Sequence, residues 1–193
     1  MAKKAPRASW LRIDDVTDPA PKIAAMWQES KQRLGFVREF LKLPIEPDRL
    51  SLFQGYINRL MRSDDCLLSG QERELVALVA SVENHCEACV LTHAGALQAQ
   101  GMARRTVDIV LVNWRRAGLS PREFALAEFA SNLTLAPELA DESALDGLRE
   151  AGLSEAEILE TVQIVAIFNA TNRINSALGV RIEGAVHDGF RKG

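Results

Sequence analysis

Apolar residues recur along the chain at spacings of three and four, and convincing apolar–polar alternation is absent. That spacing lays one face of a helix against a core and argues against sheets. With their start and stop residues, the segments predict helices over about 20–34, 36–43, 47–62, 70–84, 86–100, 103–116, 120–134, 141–151 and 154–178, with a short piece near 183–190. The helix starts share a device, Leu-Ser-x-x-Glu, at Leu68-Ser69 to Glu72, Leu119-Ser120 to Glu123 and Leu153-Ser154 to Glu157. Each reads as a capping box, in which the Ser oxygen and the Glu carboxylate satisfy amides that the helix leaves unpaired. Pro121 adds a proline at a first helical position, and glycines at 101, 118, 152 and 179 fall where helices should stop. Short connections complete the picture of an all-α, compact multi-helix bundle. We expect one domain over 1–193, with 1–15 as an N-terminal tail or arm and 70–100 as a central helix pair. The similar starts hint at an internal pseudo-repeat, although their separations of 51 and 34 residues are unequal.

Composition narrows the setting. An apolar share of 47% supplies a sizeable core, and a net charge of −3 gives no footing for nucleic acid or an acidic membrane surface. The basic opening MAKKAPR has no apolar stretch behind it, so it reads as a solvated tail rather than a secretory signal. The apolar run Ile158–Phe168 is interrupted by Glu160 and Gln163 and is too short to span a bilayer. Three cysteines, an odd number, argue against a secreted disulfide scaffold and for a reducing compartment, with cytoplasm the default. Several helices are apolar almost all round, which favours a homo-oligomer over a monomer.

The chemistry concentrates in Glu74–His93. Cys86 and Cys89 lie three apart, and His93 follows Cys89 by four, so all three return to one side of a helix. That helix is expected to begin around Asn84, His85 or Cys86, which puts both thiols in its first turn. There the unpaired amides favour a thiolate, the form that attacks peroxides and disulfides, below the ordinary thiol pKa of ~8.5. His93 can take a proton, and Glu74, on the preceding apolar helix, can hold that His or pass the proton on. A second Cys nearby captures a sulfenic acid before it over-oxidises.

Other readings compete. Zinc on two Cys, a His and a Glu has acceptable donors, but no second ligand pair completes a structural site. Two small buried cysteines with a capping His would be a purely structural alternative. His85 would tune the thiols or face solvent. Cys66, flanked on its N-terminal side by Asp64 and Asp65, whose charges disfavour a thiolate, reads as inert, and His187 as a surface or interface residue. Trp10, Trp27 and Trp114 read as packing residues. Asn169, Asn172, Arg173 and Asn175 form a polar stripe that either bonds helices together or lines the site.

Glu74-x11-Cys86-x2-Cys89-x3-His93 resembles the signature of the alkyl hydroperoxidase D-like (AhpD-like) enzymes of the carboxymuconolactone decarboxylase superfamily. The wider chain is similar to a branch of peroxidase-related enzymes. The segments carrying this are Trp10-Leu-Arg-Ile13, Leu68-Ser-x-x-Glu-Arg-Glu-Leu75 and Asn172-Arg-Ile-Asn-x-x-x-Gly179. The resemblance implies an all-helical thiol peroxidase in which Cys89 attacks a hydroperoxide, Cys86 resolves it as a disulfide, and Glu74 and His93 relay protons. It implies a trimer or hexamer, no metal or organic cofactor, and a dithiol protein or small thiol as reductant. The founding enzyme has a His just before its second motif cysteine where this chain has Ala88, so either His85 stands in or the relay is shorter. A dithiol–disulfide oxidoreductase or redox sensor with little peroxidase turnover is the alternative.

Overall fold

The computed structural model describes residues 7–184 and 186; His187 and most of the piece expected near 183–190 lie outside the described residues. Helices make up the described chain, without strands: α1 Pro21–Leu34, α2 Pro47–Arg62, α3 Gly70–Glu83, α4 Glu87–Ala99, α5 Arg104–Asn113, α6 Pro121–Leu135, α7 Asp146–Glu150 and α8 Glu155–Leu178. The all-α expectation therefore holds. No helix is long and apolar enough to cross a membrane among the described residues.

Three predicted segments differ from α-helix. Residues 36–43 form only a 3-10 turn over Glu39–Lys42. Left-handed Gly35 and Pro44 bracket too short a stretch, and the apolar signal came from Phe40 and Leu41, which are anchored in a core. The end of 103–116 tightens into a 3-10 turn at Trp114–Arg116, while 141–151 splits into a 3-10 turn, Glu142–Leu145, and the five-residue α7. There the Asp141 carboxylate accepts the Ala144 amide and sets a turn in place of helix.

α3 is the hub. Leu75 to Ala80 are all fully buried, because α4, α6 and α8 pack around the helix. A smaller cluster of Ile23, Val37, Phe40, Leu41, Leu43 and Leu50 joins α1 and α2 to the end of α8 through Ile174 and Leu178. The start of the described chain clasps the same end: Trp10 N–H donates to Leu178 O and Arg181 N–H to Ala8 O, at 2.9 Å each. A side chain at Gly179 would strike the Trp10 indole, which explains glycine there. Trp27 and Trp114 are held by their indole N–H groups, which donate to Leu41 O and Glu83 Oε1; Trp10, expected to pack, is instead 77% exposed and is tied through its backbone N–H.

All three capping boxes form. Their glutamates also meet: Arg122 of α6 reaches Glu72 of α3 and Glu157 of α8 at 2.6 Å each, and Gln71 donates to Glu123 at 2.7 Å. Three helix starts are thereby tied into one polar knot. A second tether runs inside, where the buried Glu160 carboxylate of α8 accepts the amides of Leu67 and Leu68 just before α3.

The knot should be measurable. Replacing Arg122 by Ala is expected to cost roughly 1–2 kcal/mol in denaturant unfolding. Hydrogen bonds from Arg122 and from the cap serines hold the Glu72 and Glu157 carboxyls below their usual pKa, against the opposing effect of burial. Their contribution is thus full above the ordinary carboxyl range and is lost as pH falls through the lowered values. The stability gap between wild type and Arg122→Ala should close on acidification; a gap that stays constant with pH would exclude the knot as its source.

Candidate active site

The site begins at the junction of α3 and α4. His85 N–H donates to Val82 O at 3.0 Å and Cys86 N–H to Ser81 O at 3.1 Å, a Schellman closure of α3. Three other helix ends close with the same pair of bonds and place Gly101, Gly152 or Gly179 at the left-handed position. Here that position is His85, with φ 52°, the single non-glycine residue of positive φ among the described residues. The amide that ends α3 belongs to Cys86, which is also the N-cap of α4. Cys86 therefore flanks the helix and Cys89 is its third residue.

The end of α3 is braced from several sides. Glu83 accepts from Ser131 at 2.6 Å and from Trp114 at 3.0 Å. Asn84 donates to Ala80 O and to Asn169, whose own amide donates to Thr134. Asn172 donates to Ala80 O. Two residues of the polar stripe on α8, Asn169 and Asn172, thus bond helices together, while Arg173 donates to Asn169 within α8 itself.

Asn175 does something different. Its Nδ2 donates to the Cys89 sulfur at 3.2 Å, while its Oδ1 is buried without a partner among the described residues. Sequence alone left this residue as one of four in a stripe; the helical phase relative to Asn172 offered no sign of a sulfur contact.

Glu74 and His93 are brought together. Glu74 Oε2 lies 2.7 Å from His93 Nδ1, with both side chains largely buried. A carboxylate can only accept, so Nδ1 carries the hydrogen and Nε2 keeps a lone pair able to take a proton. The edge of Phe168, from α8, meets the imidazole in a T-shaped contact at 4.4 Å and fixes the ring plane. His93 sits one turn along α4 from Cys89.

The two sulfurs differ. Cys86 is pulled down to about 6, chiefly by the hydrogen bond from the Cys89 thiol, then by the Cys89 backbone N–H, Ser176 and Asn175. Cys89 is pushed well above the ordinary range, because its proton is held toward Cys86 and because it is buried. The helix start thus lowers one thiol rather than both. The shared proton thus favours the thiolate on Cys86 and the thiol on Cys89. Both are buried, 2% and 1% exposed, so a bulky reagent has little access to either.

The remaining candidates lie elsewhere or play other parts. The His85 ring is exposed. The Cys66 thiol donates to the carbonyls of Arg59 and Leu60 at 3.2 and 3.4 Å. No group of three or more His, Cys, Asp or Glu among the described residues is placed to hold a metal ion. A cavity of about 480 Å³ between α6 and the 139–148 segment contains none of the site residues.

Residues 47–132 match the model of the carboxymuconolactone decarboxylase family. An uncharacterized peroxidase-related protein from Silicibacter sp. TM1040 superposes with a TM-score of 0.89, over 99% of this chain and 100% of its own, at 26% identity. The alkylhydroperoxidase AhpD core of an uncharacterized peroxidase-related protein from Ralstonia eutropha JMP134 gives 0.86, over 94% and 96%, at 27% identity. The debrominase Bmp8, in its apo form, shares the fold at 0.75, over 91% and 94%, with 21% identity. No curated protein sequence matches the chain.

Two measurements test the junction. Alkylation of Cys86 by iodoacetamide, followed by peptide mass mapping, should rise with pH around a midpoint of about 6 and level off by neutrality, because the folded pKa is lowered. Cys89 should stay unmodified over the same range, and a midpoint near that of a free thiol would refute the assignment. His85→Gly should stabilise the fold by about 1 kcal/mol by removing left-handed strain, whereas His85→Val should destabilise it. If the glycine variant gains nothing, the turn holds no strain.

Proposed function

We propose that the chain belongs to the AhpD-like side of the carboxymuconolactone decarboxylase superfamily, which the family match over 47–132 and the two peroxidase-related structures support, and that within it the protein is a thiol-dependent peroxidase working through Cys86 and Cys89. The observation that carries this reading is the Glu74–His93 pair at 2.7 Å, one turn from a cysteine that still holds its proton.

In this mechanism His93 Nε2 accepts the Cys89 proton, and Glu74 stabilises the imidazolium that forms. The Cys89 thiolate attacks the outer oxygen of the hydroperoxide. An S–O bond forms, the O–O bond breaks, and the alkoxide leaves as an alcohol with the proton returned by His93. The Asn175 amide N–H steadies the sulfur, and its unpartnered Oδ1 accepts the hydroperoxide O–H. Cys86, already a thiolate, then attacks the Cys89 sulfenic acid; the S–S bond forms, the S–O bond breaks, and the hydroxide leaves as water with a proton taken from solvent. A small dithiol or dithiol protein reduces the disulfide and restores both sulfurs.

The two cysteines divide the work by acidity. A thiol of high pKa is the stronger nucleophile once deprotonated, and one of low pKa is the better leaving group when the disulfide is reopened. Near-complete burial of both sulfurs favours a hydroperoxide, which need present only its terminal oxygen, over a protein disulfide as oxidant.

The test is intact mass and trapping after one equivalent of cumene hydroperoxide. Wild type should lose two hydrogens, mapped to the peptide holding Cys86 and Cys89. Cys86→Ser should hold a dimedone-reactive sulfenic acid on Cys89, and Cys89→Ser should consume no peroxide. A sulfenic acid on Cys86 in the Cys89→Ser variant, formed at the wild-type rate, would reverse the order of attack. No mass loss in wild type would end the peroxidase reading.

A further inference from the structure

We propose that Arg33, Arg38 and Arg62 form an anion-binding cleft between α1 and α2, which takes the carboxylate of an acidic hydroperoxide or of an acidic small dithiol. As a substrate-binding cleft it rests on the peroxidase reading above; as an anion site it does not.

The cleft lies between α1, the turn that follows it, and α2, and its wall includes Glu29, Ser30, Arg33, Arg38, Asn58 and Arg62. The backbone arranges it. α1 stops at left-handed Gly35, and buried Ser30 pins the turn by donating to Phe36 O at 2.8 Å while accepting the Arg38 amide at 3.3 Å. Trp27 holds the next segment through Leu41 O. Arg33 is therefore delivered from the last turn of α1, Arg38 from the pinned turn, and Arg62 from the last residue of α2.

Three guanidinium groups converging this way should find acids, and they do not. Among the described residues, no carboxylate lies within 4.0 Å of any of them. Arg62 bonds only the side-chain oxygen of Asn58, which also accepts from Gln54. The acids whose charge reaches the arginines are Glu29 and Glu74, and Glu74 is already engaged by His93 at 2.7 Å. A positive surplus remains. Desolvation and then repulsion from Arg33 and Arg38 bring Arg62 down to about 10, and desolvation and then repulsion from Arg38 lower Arg33.

Charge links the cleft to the chemistry. The Glu74 carboxylate acts on both Arg33 and Arg62, and the Arg38 charge is felt at the Cys89 sulfur. Neither cysteine lines the cleft itself. Arg33 and Arg62 reach solvent at its mouth, where an anion can enter. A bound carboxylate would supply the missing counter-charge and hold the rest of its molecule near the relay. Guanidinium groups suit this because they present planar, paired donors.

The test compares alkylation of the dithiol by iodoacetate, an anion, with alkylation by iodoacetamide, its neutral counterpart, at low salt. Each rate is referred to the same pair of rates for glutathione. A cleft of one sign concentrates counter-ions, so wild type should prefer iodoacetate by about tenfold over that reference. Arg33→Gln/Arg62→Gln should erase the preference, and Arg33→Lys/Arg62→Lys should keep most of it. An effect of charge on thiol acidity alone would change both rates together and leave the ratio untouched. Equal ratios in wild type and the glutamine variant would overturn the proposal, as would a second copy's acids already occupying the arginines. Because the readout needs no peroxide, a high ratio in a protein that consumes none would leave the cleft standing and remove the peroxidase reading.

The source of the carboxylate is then separated by half-reaction. In the oxidative half, linoleic acid hydroperoxide is compared with its methyl ester; in the reductive half, dimercaptosuccinate with dithiothreitol. The arm in which wild type favours the acid and the glutamine variant does not identifies the ligand. A preference in neither arm would overturn the substrate role.

Discussion

Two amide hydrogen bonds decide where everything else in this molecule can stand. They run from His85 to Val82 and from Cys86 to Ser81, closing α3 and releasing the chain directly into α4. Only Asn84, His85 and Cys86 separate the two helices, so a displacement of α3 is a displacement of the sulfurs. Glu74 on one helix and His93 on the next can share a hydrogen at 2.7 Å only because this turn fixes their relative phase. The braces on Glu83 and Asn84 make sense in that light, since they immobilise the residues just ahead of the turn. A histidine in a backbone conformation that glycine adopts freely is the cost of putting an imidazole there.

α8 acts as the second fixed reference. Its start is bound into the Arg122 knot, its middle places Phe168 on the imidazole, and its far end carries Asn175 to Cys89. One continuous helix thus connects the stabilising polar cluster with the reactive sulfur. The environment that separates the two thiols, one acidic and one reluctant, is largely assembled from residues of this helix and of α4.

What the sequence revealed was local, and what it concealed was not. The capping boxes could be read because a Ser and a Glu three residues apart need no help from the rest of the chain. The short connections at 36–43 and 141–151 misled because apolar spacing says nothing about whether a segment has room for a full turn. Glu160 stood out in sequence only as a polar interruption; its partners, the amides of Leu67 and Leu68, lie more than ninety positions away. Asn175 was one asparagine in a stripe until α8 was laid across α4. Arg33, Arg38 and Arg62 carried no motif, since what unites them is the packing of three separate segments.

The contacts on the two sulfurs also bear on energetics. Cys86 is stabilised as an anion, and Cys89 receives an amide hydrogen from Asn175; both favours are granted to the open dithiol and are withdrawn when a covalent bond joins the pair. In the proposed peroxidase cycle, a couple weighted in this way toward its reduced side would have a raised midpoint potential. Its bridge, once closed in that cycle, would be a temporary store of oxidising power that a mild electron donor can discharge.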